Sequence, residues 1–214
     1  MNQFPEYLLQ VGQHLEAAGT SWCLIGGLAV GARTDPRFTK DLDLAVNSQN
    51  DEASEQLLFA LQGAGYRILA ILEHQASGRL ATARLAPPGA QEPVIIDLLF
   101  ASSGIEGSIV SRSEVLEVFH EVRVPVASLG DLIAMKILAR DDKIRPQDRL
   151  DLNALLNLAQ EHDRKIARKA LAEMAERGYN RGRQLEAELT AAEAEFLTES
   201  PGRSDTESDV GAEE

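Results

Sequence analysis

The chain has 214 residues, 44% of them apolar and 26% charged, with a formal net charge of −13 and a single cysteine. The length suits one domain with an appendage or two small ones, with ample material for a hydrophobic core, and the charge excludes nucleic-acid binding by bulk electrostatics, so any RNA or DNA contact needs a local basic patch. One cysteine, Cys23, excludes an internal disulfide, agrees with a cytoplasmic location and reads as a packing residue beside Trp22; no apolar run approaches the roughly 20 residues that span a bilayer, and MNQFPEYLLQ shows no signal peptide.

Pro5 to Ala18 reads as a helix, with Tyr7, Leu8, Val11 and Leu15 on one stripe and Gly19 as its stop. Ser21 to Ile25 is a short apolar strand ended by Gly26-Gly27, and Leu28 to Arg33 is a helical start. Thr34-Asp35-Pro36-Arg37 is a turn, and Leu42 to Val46 a second strand. Asp51 to Leu61 is an amphipathic helix ending at Gly63. Tyr66 to Leu72, Arg79 to Leu85 and Val94 to Phe100 are three further strands, with Pro87-Pro88-Gly89 supplying a turn. Glu106 to Phe119 is predicted helical and Val122 to Val126 a strand. From Leu129 to about Phe196 the pattern is helical, broken near Arg145-Pro146 and at Gly178 to Gly182. The end, TESPGRSDTESDVGAEE, carries six acids against Arg203 alone and is predicted to be disordered. The expected architecture is α/β (α+β), a mixed sheet flanked by helices. A core over 1–126 leads into a helical region over 127–197 that completes the site, then the acidic tail over 198–214.

Asp41 and Asp43 lie two apart in a strand, so their side chains leave on one face about 6.5–7 Å apart, opposite Leu42, Leu44 and Val46. Asp97 interrupts the apolar run PVIIDLLF. A carboxylate buried there without a partner costs several kcal/mol. Two compensations stand: an Arg or Lys ion pair, or backbone N–H bonds accepted at a strand end, on the one side, and divalent cations with hard oxygen ligands on the other. Three carboxylates on two strands favour the second, since Mg²⁺ takes one or two carboxylates and completes its shell with water and phosphates. Gly26 and Gly27, lacking side chains, let backbone N–H groups at a helix start approach a phosphate.

Ile25-Gly26-Gly27, a thirteen-residue spacer (28 to 40), Asp41-Leu42-Asp43 and the distant Asp97 together resemble the nucleotidyltransferase superfamily related to DNA polymerase beta. R-F-T-K-D-L-D-L (Arg37 to Leu44) is similar, more narrowly, to the R-x-T-x-D-x-D form of AbiEii-type nucleotidyltransferase toxins. The later LGDLIAMKILARDDKIRPQDRLDLNALL offers Lys136, Arg140, Asp148 and Asp151 in that family's order. The resemblance covers roughly residues 20 to 160. It implies transfer of a nucleoside monophosphate from an NTP, with release of pyrophosphate. Asp41, Asp43 and Asp97 would hold Mg²⁺ or Mn²⁺, Asp97 alternatively serving as base. Gly26, Gly27, Arg37, Thr39, Lys136 and Arg140 would bind the nucleotide, and Asp148 would orient Lys136 or Arg140. Implied partners are the NTP, a tRNA or other RNA acceptor and a cognate antitoxin protein, with no membrane. The rival functions are a small-molecule (antibiotic) or protein adenylyltransferase, and a non-catalytic nucleotide- or RNA-binding module of the same fold.

Each downstream residue also has a plainer reading. Lys136 falls beside Ile133 and Ile137, where it either snorkels its ammonium to solvent or meets the triphosphate. Asp148 and Asp151 suit the N-terminus of a helix whose first turn holds Pro146. Arg33, Arg37 and Lys40 flank the site as phosphate contacts or as solvated charges. Arg164, Lys165, Arg168, Lys169, Arg177, Arg181 and Arg183 read as a solvated face interleaved with acids more readily than as an RNA grip.

Overall fold

The computed structural model describes residues 4–36, 39, 41–75, 77–90, 94–141 and 146–199, with side chains as far as 196. The elements run α1 (Phe4–Ala17), β1 (Trp22–Ile25), α2 (Gly26–Arg33), β2 (Asp41–Val46), α3 (Asp51–Gly63), β3 (Arg67–Glu73), β4 (Leu80–Ala86), β5 (Ile95–Leu99), α4 (Glu106–Ser111), β6 (Glu114–Phe119), β7 (Val122–Val126), α5 (Leu129–Ala139), α6 (Pro146–Leu158), α7 (Glu161–Glu176) and α8 (Leu185–Glu199). No helix among the described residues is long and apolar enough to cross a membrane. The tail from 200 onward lies outside the described residues, as do Arg37 and Lys40.

The strands form one mixed sheet in the order β3-β4-β5-β2-β1-β7-β6. β1 pairs antiparallel with β2 and parallel with β7, and β2 pairs parallel with β5. Alternation decides which face is buried. Trp22, Leu24, Leu42, Leu44 and Val46 share one face through the register Trp22↔Val46 and Leu24↔Leu44, and all are buried. Fully burying a side chain of that size contributes about 1.5–3 kcal/mol. α1 lies on this face, so closely that a Cβ at Gly12 would stand 2.4 Å from Trp22 Cζ2. Asp41 and Asp43 therefore point to the other face.

One expected element is corrected. The segment 106–119 is not a single helix: α4 stops at Ser111, and Glu114 to Phe119 is β6, paired antiparallel with β7. The spacing of Val115, Leu116, Val118 and Phe119 satisfies a helical stripe. The β-branched content and a waiting partner strand decide the outcome, as tertiary pairing overrides propensity. Glu121, at φ 63°, makes the reversal. A smaller difference concerns the glycines: α2 begins at Gly26 itself, so Gly26 and Gly27 are its first turn rather than a turn ahead of it.

The helices after β7 pack by close approach. Ser128 caps α5, accepting from Asp131 N at 3.2 Å. A Cβ at Gly130 would stand 2.4 Å from the backbone oxygen of Asp163 on α7. Backbone cannot yield as a flexible side chain does, so Gly130→Ala is expected to destabilise the chain by about 1–3 kcal/mol in urea unfolding.

Candidate active site

The three strand carboxylates share a sheet face. Ile25 registers with Asp43 across β1 and β2, and Asp43 registers with Asp97 across β2 and β5. Asp41 and Asp43 are half-buried between fully buried Leu42 and Leu44. Gly26 has φ +67°, and a Cβ there would stand 2.0 Å from Asp43 Oδ2 and 2.6 Å from its Cγ. Both the backbone conformation and the space demand glycine. The Asp43 carboxylate thus rests against the first residue of α2, where a helix favours negative charge. Thr39 hydroxyl donates to Asp41 O at 3.4 Å.

Asp97 has an arginine partner. Arg84 on β4, in register with Asp97, donates Nε to Oδ1 at 2.9 Å and Nη2 to Oδ2 at 2.8 Å. The ion-pair reading of this aspartate describes what the structure contains. The Arg84 side chain is 47% exposed and that of Asp97 11%. The hydrogen bonds and charge of Asp97 raise the guanidinium above its ordinary pKa, against burial, with Asp41 and Asp43 adding weaker attraction. Arg84 therefore feels all three acids. It was not among the sequence-derived candidates. The available signal was a lone basic residue inside the apolar strand LATARLA, matching the lone acid inside PVIIDLLF.

Lys136 does not snorkel. It is buried on α5, with Nζ 2.7 Å from Asp148 Oδ1 and 2.7 Å from Asp151 Oδ2. Both acids face it from the first two turns of α6, and Gln147 Nε2 donates to Asp151 Oδ1 at 3.1 Å. Asp148 Oδ2 is buried without a hydrogen-bond partner among the described residues. Arg140 ends α5 and donates to Glu195 Oε2 at 3.2 Å. Glu195 also accepts from Arg149, whose hydrogen bond holds that carboxyl below its ordinary range together with Arg140. Arg140 is thus drawn towards α8 rather than joined to Lys136.

Arg33 and most of the later basic cluster are engaged structurally among the described residues. Arg33 donates Nε to Ala127 O at 2.6 Å and Nη2 to Glu114 at 2.8 Å. Arg164 and Arg168 both hold Glu193, Arg183 holds Glu188, and Lys165, Lys169 and Arg177 lie near Glu161 or Glu173. A further buried group escaped the sequence reading. Asp131 is fully buried and accepts from Arg112 at 3.0 and 2.6 Å and from Ser128 Oγ at 2.6 Å. Beneath it lies Cys23, whose thiol is pushed from 9.0 to about 12, first by burial and then by the Asp131 charge, with Arg33 opposing.

Among the described residues, no group of three or more His, Cys, Asp or Glu side chains is gathered to enclose a metal ion. The donor chemistry of Asp41 and Asp43 nevertheless fits a hard divalent cation that takes two carboxylates and leaves its other positions to phosphate and water. Gly26 supplies the uncrowded approach. Asp97 already shares both of its carboxylate oxygens with Arg84.

Residues 13–209 match the sequence profile of the family described as "Nucleotidyl transferase AbiEii toxin, Type IV TA system". No curated protein sequence matches significantly. Solved structures with similarity include the lincosamide antibiotic adenylyltransferase LnuA bound to lincomycin (13% identity, TM-score 0.47, covering 72% of this chain and 97% of that one). The antibiotic-resistance factor ANT(2'')-Ia gives 14% identity and TM-score 0.48, over 91% of each chain. JHP933 from Helicobacter pylori gives 18% and 0.43, over 90% of this chain and 88% of that one.

Two expectations follow from the buried groups. Lys136→Met removes the buried cation that Asp148 and Asp151 share, and should cost about 3–5 kcal/mol in thermal or urea unfolding. Cys23 should resist alkylation by iodoacetamide in the native chain at about pH 8 and react once denaturant is added. The unfolded thiol ionises near 9.0 while the folded one keeps its proton until about 12. The unfolded state therefore binds fewer protons across that window, and this group's contribution to stability falls as pH rises through it.

Proposed function

This chain belongs to the family of AbiEii nucleotidyltransferase toxins, and from that membership we propose that it moves a nucleoside monophosphate from an NTP to an RNA hydroxyl, a tRNA end foremost, as the toxin of a toxin–antitoxin pair. The enzyme class and NMP transfer itself follow from the family. The acceptor, the metal and the residue roles are our reading. The observation that carries it is the Asp43 carboxylate set against Gly26 at the start of α2, with Asp97 in register on the next strand.

A divalent cation, Mg²⁺ or Mn²⁺, held by Asp41 and Asp43 would draw in the NTP phosphates and offset charge developing at the α-phosphorus. The chain's own groups do the rest. Gly26 and Gly27 present backbone N–H groups to phosphate oxygens. Lys136 uses two of its three N–H donors on Asp148 and Asp151, leaving the third for phosphate. Arg84 turns from Asp97 to the incoming phosphates. Asp97, released, takes the proton of the acceptor hydroxyl, whose oxygen bonds to the α-phosphorus as the α–β bridge breaks and pyrophosphate leaves. Thr39 steadies the backbone at Asp41.

The test is label transfer from each of the four α-labelled NTPs to total cellular RNA in the presence of Mg²⁺. Asp43→Ala should abolish the labelled RNA band, and Asp97→Asn should lower turnover by about 10²–10⁴ while nucleotide still binds. Full activity in Asp97→Asn would remove that residue from the reaction. Label on protein or a small molecule, with none on RNA, would replace the acceptor, and binding without pyrophosphate release would replace the enzyme by a non-catalytic module. In cells, the wild type should slow growth, Asp43→Ala should not, and a cognate antitoxin should relieve the effect.

A further inference from the structure

β3 is the terminal strand of the sheet and pairs with β4 alone. Its sequence, R-I-L-A-I-L-E from Arg67 to Glu73, contains neither lysine nor proline, the usual guards of a free edge. Leu69, Ile71 and Leu72 are 47, 50 and 59% exposed. The ladder with β4 shifts register between Ile68 and Ala70 and again between Leu72 and Glu73, while Ala70 to Leu72 runs regularly beside Arg84, Ala83 and Thr82. Bulges so placed twist the ends and leave the apolar centre open.

The charges sit only at the two ends, and they are opposite. Neither Arg67 nor Glu73 has an ion pair among the described residues. Read backwards, the strand is E-L-I-A-L-I-R. Antiparallel pairing of two copies about a twofold axis through Ala70 sets Arg67 opposite Glu73 at both ends. It also sets Ile68 opposite Leu72, Leu69 opposite Ile71, and Ala70 opposite its own copy. Every cross-strand pair is then matched in charge or apolarity, which is what an isologous interface requires.

We propose that two copies of this chain associate through β3, edge to edge, into one continuous sheet. The inference stands on the strand alone and does not depend on the acceptor or on the residue roles given above. Ala70 registers with Arg84, and Arg84 with Asp97. β3 itself therefore lies two strand spacings, about 10 Å, from Asp97. A seven-residue seam is small, so the dimer is weak and concentration-dependent.

Sedimentation of the full chain across about 1–300 µM tests this. A reversible monomer–dimer equilibrium is expected. Arg67→Glu and Glu73→Arg, each at an exposed site, should weaken it about tenfold singly by setting like charges opposite. The double swap R67E/E73R should restore it to near the wild-type constant, with circular dichroism unchanged throughout. A monomer over the whole range overturns the proposal. So does a dimer indifferent to the single swaps, or a double swap no better than either single.

Discussion

A carboxylate pressed against a glycine governs this molecule. Gly26 follows the end of β1 and Asp43 lies within the neighbouring strand β2, and a single methyl at position 26 would occupy the place of an Asp43 oxygen. Because Gly26 is also the first residue of α2, the contact fixes a strand, a helix and an acid relative to one another. The far end of α2 is held too, since Arg33 reaches the carbonyl of Ala127 beyond β7 and the carboxylate of Glu114 on β6. α2 is therefore tied at both ends to the strands that surround it, and its N-terminus cannot drift from the carboxylates.

The buried and half-buried charges follow from the same geometry, and each is compensated differently. Asp97 lies on the sheet with a forked, partly exposed arginine, a pairing that a competing anion can reach. Lys136 lies between two carboxylates in the helical layer, largely out of solvent, and is held by both. Asp131 is fully buried and satisfied by Arg112 and the hydroxyl of Ser128. An unpaired ion in a low-dielectric interior is costly, so each cluster is close to complete by itself. The Arg84–Asp97 pair is the most exposed of the three on its cationic side.

What could be read from the sequence was what repeats locally. Asp41 and Asp43 at strand spacing, the glycines after an apolar strand, and Lys136 ahead of Asp148 and Asp151 all lie in patterns a short window contains. The groups that escaped are those whose meaning depends on a distant segment. Arg84 acquires its partner only when β4 and β5 align at Arg84↔Asp97, and Arg112 only when α5 brings Asp131 to it. The apolar spacing of β6 fits either period, and the partner strand that decides between them lies beyond the next turn. Arg140 stands one turn beyond Lys136, and its contact with Glu195, more than fifty residues on, lies outside any short window.

The position of β1 has a consequence for how the chain is made. Its two neighbours are β2, which follows at once, and β7, which begins at Val122. On a ribosome adding about 5–20 residues per second, the second neighbour emerges several seconds after the first. Antiparallel pairing of β1 and β2 across α2 can bring Asp41, Asp43 and Gly26 together early, and β5 supplies Asp97 next. Lys136 and the two acids that hold it follow only once α5 and α6 have been made. During synthesis the acidic half of the centre thus exists before its lysine, and a prematurely released chain would keep the carboxylates without the cation.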